Sequence, residues 1–313
     1  MFENLSKNQK VIVGVSGGPD SVYLFNQLLN SDLKPHIIVA HINHQTRGKQ
    51  SENDAIFVKE LAAKHDCIFE YLKLDFQKFT GNFEENARIS RYDFFERIRQ
   101  KHQADWILTA HHLNDQIETI LFQMSRGAEL DGFKGITEID YQKKIYRPLL
   151  NIEKKEILKY LKQNKHNYRV DESNSNNQFS RNRIRNMIIP EFEKINPNFV
   201  KTFSSSFQNL QGMLEFASES IEQWIQNNCQ LTDNYYSFNL QKFLEESLTV
   251  QKLIIGKLFK MLNSKGITKH QIKEIIKTLN QNKAGRVKEF GPDHQLKIIK
   301  NTKREVVIEK LLE

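Results

Sequence analysis

The sequence predicts an α/β fold: a doubly wound, mainly parallel sheet, then a helical region and a short C-terminal β piece. Three observations carry this expectation. Short apolar, β-branched runs alternate with amphipathic stretches up to Met124, a glycine-rich turn joins the first run to the first helix, and the alternation gives way to helical periodicity after about residue 150. Strands alternating with helices of this length build βαβ units and a sheet covered on both faces.

The elements follow in order. Val11–Val15 is an apolar run ended by Gly17-Gly18-Pro19, and Val22, Leu24, Phe25, Leu28 and Leu29 then recur at helical spacing. His36–Ile42 reads as a second strand, Glu52–Lys64 as a helix, Cys67–Leu74 as a strand, Phe83–Gln100 as a helix, Trp106–Ala110 as a strand and Asp115–Met124 as a helix. Ligands of such sheets bind beyond the carboxyl ends of the strands. The first turn and the segments after His41 and Thr109 therefore belong at one edge. Ile152–Leu161 reads as a helix, Asp171–Ser180 as a polar loop, and Arg181–Ile189 as a short basic helix stopped by Pro190. Phe199 to Leu279 reads as mostly helical, and Arg286–Phe290, Leu296–Ile299 and Val306–Ile308 as short strands. The expected regions are 1–195, 196–282 and 283–313.

Composition narrows the class. The chain has 313 residues, 39% hydrophobic and 27% charged, with a mean hydropathy of -0.59. No apolar run approaches the roughly 20 residues of a membrane span, and the first residues lack the apolar segment of a secretory signal. Cys67 and Cys229 are far apart, which excludes a CxxC motif and a four-cysteine metal site from one chain. A cytoplasmic location is expected. The net charge of +8 is unevenly spread: residues 141–190 hold 12 Lys/Arg against 4 Asp/Glu, and residues 251–313 hold 15 against 6. Two basic regions on an acidic remainder fit either solvated helix faces or a polyanion footprint.

The chemistry-bearing motifs begin with Ser16-Gly17-Gly18-Pro19-Asp20-Ser21, between a strand and a helix. Glycines permit close backbone approach, and a helix N-terminus favours an anion such as phosphate. Asp20 beside a phosphate is a like-charge conflict that a magnesium ion would remove. A plain strand–helix turn capped by Asp is the alternative. The second motif is Thr109-Ala110-His111-His112-Leu113-Asn114-Asp115-Gln116-Ile117-Glu118-Thr119. Asp115 and Glu118, three apart, share a helix face and suit a cation, either magnesium or an ammonium group. Adjacent histidines at a strand end point in opposite directions, which argues against a shared metal. First-turn carboxylates favoured by the helix dipole are the structural alternative.

The hexapeptide resembles the loop of the N-type ATP pyrophosphatases, which split ATP between the α and β phosphates. Further segments narrow the resemblance: Ala87-Arg88-Ile89-Ser90-Arg91-Tyr92, Ser125–Ile136, Arg147-Pro148-Leu149-Leu150 with Lys154, Lys155 and Glu156, Asp171-Glu172-Ser173-Asn174, and Arg181-Asn182-Arg183-Ile184-Arg185. In this order, over roughly residues 10–190, they are similar to the tRNA(Ile)-lysidine synthetase family.

That resemblance implies an ATP-dependent ligase. ATP adenylates the 2-carbonyl oxygen of the wobble cytidine in the CAU anticodon of tRNA(Ile), and the side-chain amine of free L-lysine then displaces AMP. By the same resemblance, Ser16, Gly17, Gly18, Pro19, Asp20 and Ser21 hold ATP, with Asp20 near magnesium. Asp115 and Glu118 match the acidic pair needed for activity. Arg88 or Arg91 matches a catalytic helix arginine, one of Arg181, Arg183 and Arg185 matches an arginine needed late in the reaction, and Arg185 is placed with the catalytic set. Arg181, Arg183, Lys154 and Lys155 are placed against the tRNA. The region after the helices is shorter than in larger family members, and a homodimer is compatible with the sequence. Two other readings stand beside this one: another tRNA-modifying enzyme of the same superfamily, such as a thiolase, and a non-catalytic nucleotide-responsive RNA-binding protein.

Overall fold

The computed structural model describes residues 1–45, 48–75, 79, 81, 83–127, 130–170, 180–232, 235–262, 267–281, 286–290, 296–300 and 305–310. The chain divides into two compact units, Met1–Gln211 and Gly212–Glu313.

The first unit runs β1 (Lys10–Gly14), α1 (Pro19–Leu29), β2 (His36–Asn43), α2 (Lys49–Lys64), β3 (Ile68–Lys73), α3 (Phe83–His102), β4 (Trp106–Leu108), α4 (Leu113–Ser125), β5 (Ile139–Asp140), β6 (Ile145–Tyr146) and α5 (Lys154–Gln163). After the polar loop come α6 (Ser180–Arg183), a π-helical turn (Ile184–Ile188), α7 (Ile189–Ile195) and the start of α8 (Phe199–Asn228). The expected loop at Asp171–Ser180 lies outside the described residues except for Ser180. Among the described residues the strands form one six-stranded sheet in the order β3-β2-β1-β4-β6-β5. All neighbours are parallel except β5 and β6. The chain leaves β1 towards β2 and β3, then returns to β4 on the other side of β1. The switch point therefore lies between β1 and β4, where open α/β sheets bind ligands.

Alternation along β1 explains its uninterrupted apolar run. Val11 and Val13 pack on one face with Val22, Leu24 and Phe25 of α1, Val58 of α2 and Ile157 of α5. Ile12 packs on the other face with Ile38, Phe94, Phe95, Ile98 and Ile107. A strand covered on both faces has no solvent side to encode as polar. Each fully buried aliphatic side chain contributes about 1.5–3 kcal/mol. Gly14 closes β1 because a Cβ there would lie 2.9 Å from the Phe95 ring tip.

One local expectation needs correction. Pro190 does not stop a helix: it lies in the first turn of α7. The π-turn has already broken the regular ladder, and a first-turn proline forfeits no hydrogen bond. The stretch 199–279 is mostly helical, as its periodicity indicates, with two short strands inside it. Besides α9 (Leu240–Glu245), α10 (Leu248–Leu262) and α11 (Lys269–Asn280), it holds β7 (Cys229–Leu231) and β8 (Tyr235–Asn239). These join β9 (Arg286–Phe290), β10 (Leu296–Lys300) and β11 (Glu305–Lys310) in one antiparallel sheet, ordered β7-β8-β11-β10-β9. Phe238, Val306 and Ile308 share a core with Ile254, Phe259 and Ile275 of α10 and α11. The C-terminal strands are thus built onto the helices and not set apart from them. The expected turns at Gly291-Pro292-Asp293 and Asn301-Thr302 lie outside the described residues. No helix among the described residues is long and apolar enough to cross a membrane.

Candidate active site

The glycine-rich loop leaves β1 at the switch point. The Val15 N–H still donates to Ala40 O (2.9 Å), and the chain then turns at Gly17, where φ is +90°. A side chain at Gly17 would be strained. Two serines close the loop on itself. Ser16 N–H donates to Ser21 Oγ (3.1 Å), Ser21 Oγ–H donates to Gly18 O (3.0 Å), and Gly18 N–H donates to Ser16 Oγ (3.2 Å). Pro19 occupies the first turn of α1. His41, at the carboxyl end of β2, ties the loop entry down by donating from Nδ1 to Val15 O (2.8 Å). Burial pushes its pKa down, which keeps the ring neutral.

Asp20 projects from the first turn of α1. Lys154 Nζ, at the start of α5, contacts both its oxygens, at 2.5 and 2.7 Å. The Lys154 backbone N–H donates to Asn114 Oδ1 (2.9 Å), which fixes the start of α5 against the start of α4. His112 lies between the two acidic positions, with Nε2 3.6 Å from Asp20 Oδ1 and 3.6 Å from Asp115 Oδ2. Asp115 caps its own helix by accepting from the His112 N–H (2.9 Å). Burial alone would raise the Asp115 pKa. The histidines beside it, that N–H and Arg185 together hold it below the usual carboxylate range.

Glu118 is one turn further along α4, with 3% of its side chain exposed. Arg185 grips it through Nε to Oε1 (2.6 Å) and Nη2 to Oε2 (2.9 Å), and also reaches Asp115 Oδ1 (3.3 Å). Burial pushes the Glu118 carboxyl up, and Arg185 pulls against it. The two carboxyls are thus driven in opposite directions, the pattern that separates acid and base roles in one site. Arg185 lies within the π-turn, whose Ile184, with Ile189 of α7, packs on Leu113 and Ile117 of α4. His112, Asn114, Glu118, Lys154 and Arg185 line a cleft of about 160 Å³ with Ile189 and Glu193.

The remaining sequence candidates separate. Arg88 is exposed and pairs with Glu85 one turn away (3.2 Å). Arg91 turns inward, where burial pushes its pKa down, and its charge acts on His111. Arg181 Nη2 donates to Thr119 Oγ1 (3.2 Å), and Arg183 is exposed. Lys155 pairs with the buried Glu153 (2.7 Å). Lys154 lines the cleft and pairs with Asp20. Sequence reasoning assigned no site role to His41, His112 or Arg147. All three lie in quoted or flanking segments, but only the register shows where they point. His111 accepts from or donates to Thr109 Oγ1 (2.9 Å). Burial, opposed by Asp115 and aided by Arg147 and Arg91, pushes its pKa down to about 4.

Among the described residues no group of three or more His, Cys, Asp or Glu side chains is arranged to hold a metal. A divalent cation here would take one or two carboxylates and draw its other ligands from phosphate and water, as magnesium does. Asp20 fits that arrangement.

Residues 1–192 match the family described as the PP-loop domain. The chain is 33% identical over 289 residues to the tRNA(Ile)-lysidine synthase of Mycoplasma mycoides subsp. mycoides, covering 90% of this chain and 69% of that protein. It is 33% identical over 261 residues to the protein of that name from Clostridium tetani, covering 81% and 56%. For Bacillus subtilis the values are 37% over 204 residues, covering 63% and 43%. The chain therefore spans only part of each relative's length. Among solved structures, U34-tRNA thiolase NcsA from Methanococcus maripaludis superposes with a TM-score of 0.56 at 18% identity, covering 68% of this chain and 75% of that one. That likeness is one of fold.

Proposed function

The chain belongs to the tRNA(Ile)-lysidine synthase family of PP-loop proteins, and from that premise we propose that it uses ATP to join free lysine to the wobble cytidine of a CAU-anticodon tRNA(Ile). The observation that supports this most is convergence: Glu118, Lys154 and Arg185 line one cleft, and Asp20 and Asp115, from two helices, are tied to it through Lys154, Arg185 and His112.

In this reading the loop Ser16–Ser21 and the α1 N-terminus cradle the ATP phosphates. Lys154 moves from Asp20 to a phosphate oxygen, so we place it with ATP and not with the tRNA. Asp20 is then free for magnesium, which would neutralise charge on the transferring phosphorus when bound. The cytidine 2-carbonyl oxygen attacks the α-phosphorus and pyrophosphate leaves. The lysine side chain arrives as an ammonium with an ordinary pKa of about 10.4 and is not a nucleophile. Asp115, held ionised, attracts it at the place that Arg185 fills here. Glu118, pushed up by burial, is suited to take its proton. The freed amine attacks C2, the C2–O bond breaks and AMP leaves, with Arg185 released to meet the departing phosphate. Arg183, exposed on the same segment, is positioned for backbone phosphates.

The test uses purified protein, magnesium, ATP and radiolabelled lysine, with and without a CAU-anticodon tRNA(Ile) transcript. Acid-stable label in the tRNA, reduced about 100-fold or more in Asp115→Asn, is the expected result. AMP and pyrophosphate release without label would sink the lysine assignment. Tight tRNA binding with no turnover would favour a non-catalytic RNA-binding protein.

A further inference from the structure

The glycine-rich loop is gripped from outside by a residue far along the chain. Two loop carbonyls accept hydrogen bonds from other parts of the fold: Val15 O from His41 Nδ1 (2.8 Å) and Gly17 O from the Arg169 N–H (2.8 Å). The bonds made by Ser16 and Ser21 are internal and move with the loop. They set its shape, and the two outside contacts set its place against the sheet. A trans peptide is planar, so fixing the Gly17 carbonyl also aims the Gly18 N–H on the opposite side of the same plane. That N–H, now on Ser16 Oγ (3.2 Å), is of the kind through which a turn before a helix holds an anion.

Arg169 follows α5 in a segment with neither helix nor strand, so no regular ladder steadies its backbone. Its side chain does. The guanidinium carbon lies 5.0 Å from the centroid of the Phe57 ring on α2, and Nε stands 4.0 Å from Asp54 Oδ1. A guanidinium over an aromatic face is attracted by the ring quadrupole, and the carboxylate adds to that attraction. Asp54, Phe57 and Val58 share one face of α2, at i, i+3 and i+4. That face borders the turn. A Cβ on Gly17 would meet Val58 Cγ2 at 3.3 Å, Phe57 Cδ1 at 3.5 Å and Arg169 Cγ at 3.7 Å. The ring that steadies Arg169 therefore also encloses the glycine whose carbonyl Arg169 holds. Asp54 acts electrostatically on His41 as well, so one carboxylate serves both outside contacts.

We propose that Arg169 is a positioning residue for ATP: stacked on Phe57 and paired with Asp54, it presents its backbone N–H to Gly17 and holds the phosphate loop in place. This rests on the reading of that loop as the ATP cradle. Arg169 lies outside the loop and does not line the cleft of Glu118, Lys154 and Arg185. Its guanidinium is engaged by α2, so it acts through the loop and not on a phosphate. Donors already aimed need no reordering when the anion arrives, which strengthens binding. The effect belongs to ATP and not to lysine, whose proposed contacts are on α4.

Equilibrium dialysis with radiolabelled ATP and magnesium, without tRNA, measures binding, and the transfer assay measures KM for ATP and for lysine. Arg169→Ala is expected to raise both Kd and KM for ATP about 10-fold, with KM for lysine within about 2-fold of the unaltered protein. Arg169→Lys keeps a cation for the ring and for Asp54 and should regain most of the affinity. Phe57→Leu keeps an apolar side chain beside Gly17 but removes the ring face, and should weaken ATP about 3-fold. The double variant should bind ATP no more weakly than Arg169→Ala, because both residues act through one stack. Should Phe57→Leu fail to fold, Asp54→Asn loosens the same arrangement and takes its place. A weakened Arg169→Ala beside an unaffected Phe57→Leu would make Arg169 a direct phosphate contact and overturn the positioning role. Equal losses for ATP and lysine would leave Arg169 a general structural role, and an unchanged Kd in Arg169→Ala would leave it none; either result overturns the proposal. Unaltered protein that binds no ATP would overturn the reading of the loop itself.

Discussion

Arg185 and Glu118 form a contact on which both stability and the proposed chemistry rest. Glu118 is almost wholly enclosed, and Arg185, 40% exposed, supplies both of its charge-assisted hydrogen bonds. Removing one partner of an enclosed pair strands the other charge. Arg185→Leu should therefore cost about 2 kcal/mol, below the full buried-pair value because the guanidinium is partly solvated. Adding Glu118→Gln should restore most of it. Urea denaturation reads both effects, and a neutral Arg185→Leu would contradict the pairing. His111 makes a second prediction at this scale. Its pKa in the folded protein, about 4, lies below its ordinary 6.5. As pH falls the unfolded chain takes up the proton first, so this contribution is whole above about 6.5 and is lost progressively towards 4. Denaturation midpoints measured across that window should fall more steeply for the unaltered protein than for His111→Asn.

At the scale of elements, the π-turn at Ile184–Ile188 is the feature on which Arg185 depends. A π-turn carries one residue more than the α-helical ladder and re-aims the side chains before it. Ile184 and Ile189 anchor both ends on α4, so the extra residue is absorbed between them. Deleting Asn186 should restore regular helix and swing Arg185 off Glu118 by about 100°. The expected result is loss of lysine transfer by more than about 100-fold with unchanged helix content by circular dichroism. Retained transfer would show that Arg185 acts without the turn. The glycine-rich loop contrasts with this. Its shape is held mainly by its own two serines, so local sequence carries most of it, and His41 of β2 ties down only the entry.

At the scale of the whole molecule, the residues proposed for the chemistry and one of the two basic regions fall in different units. Every residue assigned to the chemistry lies in Met1–Gln211, and the basic stretch 251–313 lies in the other unit. Exposed Lys273 and Lys277 share one face of α11 across a helical turn, where like charges are mildly destabilising. If the partner is tRNA, affinity should fall steeply with salt, with a log–log slope steeper than about −4. Lys273→Gln with Lys277→Gln should flatten it by about 2. Filter binding across a potassium chloride series measures the slope, and an unchanged value would remove α11 from the interface.

The sequence by itself determined the parallel α/β unit, the glycine-rich loop and the acidic pair on α4. These are encoded by local periodicity, turn chemistry and helix-face spacing, which act between near neighbours. It could not separate Arg88 from Arg91, because two arginines three apart differ only in what the fold brings to each: Glu85 for one, His111 for the other. It placed Lys154 against a polyanion, whereas packing of α5 on α1 sets that ammonium on Asp20. It did not mark β7 and β8, because two short strands have no periodicity of their own: β8 is fixed by pairing with β11, nearly 70 residues away, and β7 by pairing with β8. Long-range register and helix packing made those decisions, and they depend on contacts that no local stretch of chain contains.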